Sequence, residues 1–183
     1  MATDITGTKI AFLLTNGVEQ PELTQPWDEV KKAGGTPVLV SPESGSITAM
    51  KGDWDHADSF DVDVEVKNAK PDDYDALVVP GGTVNADTLR TDEDAQAFVT
   101  AFFEAGKPVA SICHGPWILI DAGEAKGRKM TSYTSIAIDL KNAGAEWVDE
   151  EVVVDGNLVT SRNPGDLDAF SAKLLEQVAA AKQ

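Results

Sequence analysis

Four short apolar runs punctuate the chain: Lys9 to Leu14 (KIAFLL), Pro37 to Ser41 (PVLVS), Ala76 to Val79 (ALVV) and Pro108 to Ile112 (PVASI). Runs of this length without polar alternation predict strands buried on both faces, because neither face meets water. Between them, apolar residues recur at helical spacing. Leu23, Trp27 and Val30 form one stripe after Pro21, stopped at Gly34 and Gly35, with Pro26 in the opening turn region. Ala95, Phe98, Val99, Phe102 and Phe103 form another. Thr91 is its predicted cap, and the acidic turn Asp92-Glu93-Asp94 suits the positive end of a helix dipole. His114 to Asp121 predicts a helix ended by Gly123, and Ile136 with Leu140 one closed by Gly144. Leu167, Phe170, Leu174, Leu175 and Val178 predict a terminal helix docked on the sheet.

Two stretches follow a different period. Phe60, Val62, Val64 and Val66 alternate with charged residues, as on a half-exposed strand, and predict a small antiparallel edge hairpin. Val152 to Val154 and Leu158 to Thr160 flank Asp155-Gly156-Asn157 as a second hairpin. Strands and helices otherwise alternate with short connections, and parallel strands need such crossovers. The expected fold is therefore α/β, a doubly wound, mainly parallel, flavodoxin-like three-layer sandwich forming one domain over residues 1–183. In such sheets ligands gather at the carboxyl ends of the strands near a switch in strand order. Glu19, Gly81-Gly82 and Cys113 fall at such ends.

Composition narrows the possible functions. The formal net charge of -16 repels nucleic acid and anionic membranes, so neither is an expected partner. No run approaches the ~20 apolar residues of a membrane span, and MATDITGTKI has neither a basic start nor an apolar signal core. A cytoplasmic location is expected. The single cysteine makes no internal disulfide and no cysteine-based zinc site, so it serves packing or chemistry. Asp53, Asp55, His56 and Asp58 read as a solvated acidic loop rather than a cation site, and no G-x-G-x-x-G or Walker pattern occurs. No cofactor or metal is expected.

The chemistry points to Cys113. Ser111-Ile112-Cys113-His114-Gly115, between a predicted strand and a predicted helix, has the small-x-nucleophile-x-small pattern of a nucleophile elbow. A helix N-terminus there is expected to stabilise the thiolate. His114 is a candidate acid or base, and the amides of Gly82 and His114 are candidate oxyanion donors in a loop that Gly81 keeps free of side chains. Glu19 ends the first strand's loop, where it is either a solvated acid or a partner of the thiol.

Together, Asn16-Gly17-Val18-Glu19 with Glu22-Leu23, Pro80-Gly81-Gly82, Ala110 to Pro116 (ASICHGP), Gly127-Arg128-Lys129 with Thr131-Ser132-Tyr133, and Ala143 to Asp149 (AGAEWVD) resemble the ThiJ/PfpI family. This family lies within the class I glutamine amidotransferase-like superfamily, and the match is nearest to PfpI-type intracellular proteases and general stress proteins. The resemblance implies a reactive Cys113 hydrogen-bonded to Glu19, His114 beside it, a role for Tyr133 in the pocket, and self-association into dimers or rings of dimers. In some members a neighbouring subunit supplies an acid just after the Gly-Gly turn; Asp87 is the nearest acid here. Glutaminase chemistry needs a histidine near the C-terminal end, and the only histidines are His56 and His114. The expected function is a stress-response enzyme acting through Cys113 on electrophilic carbonyls, of glyoxalase or deglycase type, on small molecules or protein adducts. The alternatives are a PfpI-type cysteine protease and a non-catalytic redox sensor or holdase.

Overall fold

A computed structural model describes residues 2–183. The strands in chain order are β1 (Lys9–Leu13), β2 (Thr36–Ser41), β3 (Ser46–Lys51), β4 (Asp55–Asp61), β5 (Val64–Glu65), β6 (Ala76–Val79), β7 (Val109–Ile112), β8 (Lys129–Met130), β9 (Glu146–Trp147), β10 (Val152–Asp155) and β11 (Leu158–Ser161). The helices are α1 (Gln20–Lys32), α2 (Thr83–Leu89), α3 (Glu93–Glu104), α4 (Trp117–Asp121), α5 (Ala137–Asn142) and α6 (Leu167–Ala181). Seven strands form the central sheet in the order β10-β11-β7-β6-β1-β2-β5, parallel throughout except for β10 against β11.

Strand periodicity divides the interior into two cores. Ile10, Phe12 and Leu14 face one side, with Leu23 and Val30 of α1 and Phe170 and Leu174 of α6. Ala11 and Leu13 face the other, with Phe98, Val99 and Phe102 of α3, Ile118 of α4 and Leu140 of α5. The doubly wound sandwich is thus the consequence of strands with no solvent face. Among the described residues, no helix is long and apolar enough to cross a membrane.

Several elements differ from expectation, each for a local reason. The hairpin is β3 with β4, while Val64 belongs to β5, a parallel edge strand on β2, and Val66 to a 3-10 turn. The alternation of Phe60 to Val66 therefore spans three elements. Asp92, not Thr91, caps α3, its carboxylate accepting from Ala95 N at 2.8 Å, while the Thr91 hydroxyl donates to Thr88 O. Pro26 lies inside α1, where it has no N–H to give the Glu22 carbonyl one turn back. Helix α4 starts at Trp117, three residues after the expected His114, and the short helix α2 had no apolar stripe to announce it.

The strand order reverses at β1 and β6: from β1 the chain winds outward to β2, then returns to β6 and β7 on the other side. The loops leaving β1, β6 and β7 meet at this switch. The β3–β4 hairpin joins them from outside, through Gly17 N to Thr48 O at 2.9 Å and Met50 N to Val18 O at 2.8 Å.

Candidate active site

Cys113 follows the last residue of β7 with φ 62, in the left-handed region that non-glycine residues rarely occupy. Its N–H donates to Ser161 O at 3.1 Å and its carbonyl accepts from Tyr133 N at 2.8 Å, so β11 and the Tyr133 loop hold the strained turn from both ends. The requirement for small neighbours is met: a Cβ on Gly115 would lie 2.5 Å from both Ser111 Oγ and Val79 O. The expected elbow is present, but the expected helix dipole is not. Helix α4 is only five residues long and begins four residues after the cysteine.

The backbone amides of Gly82 and His114 lie close enough to the sulfur to favour its anion. Gly82 has φ 89, and a Cβ there would lie 2.4 Å from Gly17 O and 2.6 Å from Glu19 N, so only glycine brings this amide so close. Gly81 leaves no room for a side chain, since a Cβ there would lie 2.5 Å from Glu22 Oε2 and 2.7 Å from Cys113 Cβ, and its N–H donates to Glu22 Oε2 at 2.6 Å, so it is not free for an oxyanion.

The acid beside the thiol is Glu22, not Glu19. Glu22 lies on the buried face of α1 with no solvent exposure, and its Oε1 finds no partner meeting hydrogen-bond geometry. Burial pushes its carboxyl up to about 8, against the pull of the Gly81 amide and the Cys113 thiol. Burial thus favours the protonated form of Glu22. Burial likewise pushes the Cys113 thiol up, an ionised Glu22 pushes it further, and the amides of Gly82 and His114 oppose both. Once Glu22 carries the proton, its repulsion vanishes and it becomes a hydrogen-bond donor to a sulfur anion. Position alone does not lower the proton affinity of this cysteine: burial and Glu22 raise it, and only the amides of Gly82 and His114 favour the anion.

The Glu19 carboxylate instead accepts from Gly52 N at 2.8 Å and Asp53 N at 3.1 Å, tying down the β3–β4 turn. That turn projects Asp53 inward. Its two oxygens accept from Thr83 N at 2.9 Å and Thr83 Oγ1 at 2.8 Å. Asp87 is exposed on α2, and Asp53 is the acid this chain places near His114. Asp58, from the same acidic stretch, turns away to accept from Gln20 Nε2 at 2.8 Å.

His114 touches Cys113 directly, its Nδ1 lying 3.3 Å from Sγ. The contact is possible because residues 113 and 114 form a turn rather than the start of a helix. Nε2 lies 3.2 Å from Ser135 Oγ and 3.4 Å from Thr83 Oγ1. Burial pushes His114 below its ordinary value and Asp53 partly opposes this, so the ring is neutral at pH 7. Tyr133 stacks on the imidazole with ring centroids 4.7 Å apart, and Trp117 meets it edge-on at 5.3 Å. Of the expected residues, Cys113, His114, Gly82 and Tyr133 converge. Sequence reasoning missed the roles of Glu22, Asp53, Thr83 and Ser135. One signal was available for Glu22: it belongs to the buried stripe of α1 with Leu23, Pro26 and Val30, where a carboxyl is out of place.

Residues 8–177 match the model of the DJ-1/PfpI family. The deglycase PfpI of Pyrococcus furiosus is 46% identical over 168 residues, covering 92% of this chain and 98% of that protein. The protein/nucleic acid deglycase 2 of Escherichia coli is 44% identical over 174 residues, covering 94% and 98%. A solved two-domain protein from Anabaena variabilis, with DJ-1/ThiJ/PfpI-like and ferritin-like domains, superposes with a TM-score of 0.88 at 35% identity. That match covers 93% of this chain and 48% of the other, so the chain spans about half of that protein.

Proposed function

The chain belongs to the DJ-1/PfpI family, and from this premise we propose that it is a Cys113-dependent enzyme of carbonyl stress, removing methylglyoxal and its early adducts on amines and thiols. The observation that carries this reading is the meeting in a buried crevice of the Cys113 sulfur with His114 Nδ1 at 3.3 Å and the fully buried carboxyl of Glu22. The full-length similarity to relatives named deglycases supports the choice of substrate class.

In this mechanism His114 Nδ1 takes the thiol proton as Sγ adds to the aldehyde carbon. The carbonyl π pair becomes an oxyanion, which takes that proton from His114 to give a hemithioacetal. A proton then moves from this carbon to the adjacent ketone carbon through an enediol, with Glu22 and His114 as the acid and base at hand. The first carbon is oxidised to a thioester while the second is reduced to an alcohol, so no external oxidant or reductant is needed. Water hydrolyses the thioester, releasing lactate and the free thiol. From an amine adduct, the amine leaves with a proton, and adduct plus water becomes amine plus lactate. Peptide hydrolysis is less well served, because it must expel an amine from a resonance-stabilised amide, a poorer leaving group than the amine of a carbonyl adduct.

The test measures lactate release from methylglyoxal, and from methylglyoxal-treated N-acetylarginine, N-acetylcysteine and dGTP, under reducing conditions. Wild type turns over and Cys113→Ala does not; equal rates for the two remove the enzyme reading. The dGTP arm decides whether the nucleic-acid substrates in the E. coli relative's name extend to a chain with a net charge of -16.

A further inference from the structure

We propose that Asp53 and Thr83 are positioning residues that fix the tautomer of His114, so that its basic lone pair faces the Cys113 sulfur. The inference rests on the reading of Cys113 as nucleophile and extends it to residues that do not touch the sulfur.

The argument is one of proton bookkeeping along a chain of bonds. A carboxylate only accepts, so the Thr83 hydroxyl, 2.8 Å from Asp53 Oδ2, must spend its single proton on Asp53. Only its lone pairs remain for His114 Nε2 at 3.4 Å, and a lone pair is satisfied only by an N–H. Nε2 therefore carries the proton of the neutral ring. Nδ1, 3.3 Å from Sγ, is then left as the acceptor that a thiol needs from a general base. Ser135 Oγ, 3.2 Å from Nε2, has no other side-chain partner and can turn to accept or donate, so it follows the tautomer rather than setting it. Asp53 also lends negative charge to the imidazolium that forms when the thiol is deprotonated.

Asp53 is held for this purpose at some strain. Its φ is 61, and its own N–H is fixed by Glu19 Oε2 at 3.1 Å. A mere cap for the seven-residue α2 needs only the bond to Thr83 N; the second oxygen on the hydroxyl is what a cap does not require. Four loops thus act in series, from Glu19 after β1, through Asp53 between β3 and β4 and Thr83 after β6, to His114 after β7.

The experiment uses the full chain labelled with 15N in its imidazoles. With only two histidines, His56→Gln assigns the spectrum. Long-range proton–nitrogen correlation at pH 7 reads the tautomer of His114, and iodoacetamide reads the reactivity of Cys113. Wild type is expected to show protonated Nε2 and bare Nδ1. Asp53→Asn keeps a cap for Thr83 N and tolerates the left-handed φ, but its amide donates to Thr83 Oγ1 and turns the hydroxyl proton toward Nε2. Asp53→Asn and Thr83→Val should therefore move His114 toward the Nδ1–H form and slow alkylation about 10-fold, less than the roughly 10²–10⁴-fold that a general base supplies, because the ring stays in place and part of it keeps the productive tautomer. Thr83→Ser should restore both readouts to near wild type. A wild-type ring protonated on Nδ1 overturns the proposal without any variant, as does an unchanged tautomer and alkylation rate in folded Asp53→Asn and Thr83→Val. Absence of lactate production with a tautomer that responds as expected would instead sink the proposed activity and leave the relay standing.

Discussion

A carboxyl with no exposure, such as Glu22, makes pH a probe of folding. The folded chain holds a proton on Glu22 up to about 8, whereas the unfolded chain releases it near the ordinary 4.5. Between these values the folded state binds more protons than the unfolded state, so stability falls as pH rises, by about 1.4 kcal/mol per pH unit at most. The contribution is fully present below the unfolded value and lost by the time pH has passed through the folded one. Cys113, also pushed up, releases no proton in either state below the ordinary thiol range, while His114, pushed down by burial, acts in the opposite sense and cancels when wild type is compared with a Glu22 variant. Glu22→Gln removes the titration while keeping the shape. Denaturant midpoints measured from pH 5 to 8 should therefore diverge steadily, with the variant gaining on wild type as pH rises. Parallel curves would mean that Glu22 is ionised in the native crevice and is no donor to the sulfur.

At the scale of elements, the central strands were legible because burial on both faces leaves an uninterrupted apolar run, and β1, β2, β6 and β7 lie within about a residue of their expected bounds. The elbow was legible for a related reason: the close approach of β6 and β7 forces Ser111 and Gly115 to be small. What escaped had no apolar period to reveal it. β4 (DHADSFD) is almost wholly solvated and α2 is seven residues long, so neither carries a buried stripe. The acids were misassigned because spacing along a chain does not say which of Glu19 and Glu22 faces inward; one turn of α1 decides it. The hairpin nonetheless reaches the site through Glu19, and hydrogen bonds to a carboxylate are each worth about 1.5–3 kcal/mol. Glu19→Gln, which leaves a neutral and weaker acceptor, should raise hydrogen exchange at Gly52 and Asp53 about 10-fold while the amides of β1 and β6 stay protected. Equal protection in variant and wild type would show the β3–β4 turn to be held by the strand pairing alone.

For the whole molecule the governing quantity is charge. Thirty-one Asp and Glu against 15 Lys and Arg give -16, and part of the basic complement is already engaged locally, as in Arg90 with Asp121, Arg128 with Glu124, and Arg162 with both Asp149 and Asp166. Unfolding lets the remaining acids move apart, so at low ionic strength repulsion favours the unfolded chain. Salt shortens the screening length from roughly 30 Å at 0.01 M to roughly 3 Å at 1 M. It weakens the surface pairs too, but those contribute at most about 1 kcal/mol each and usually less. Relief of repulsion should win. Melting temperature should accordingly rise with potassium chloride by at least ~4 °C, which for a chain of this size corresponds to about 1–2 kcal/mol. The shape of the rise separates screening from general salting-out. Screening is largely complete by roughly 0.3 M, where the screening length is already shorter than typical charge spacings, whereas exclusion of salt from the surface grows in proportion to concentration. A melting temperature that is flat below 0.3 M, or that falls, would mean that the local pairs already neutralise the acidic surface and that net charge has no hold on the stability of this fold.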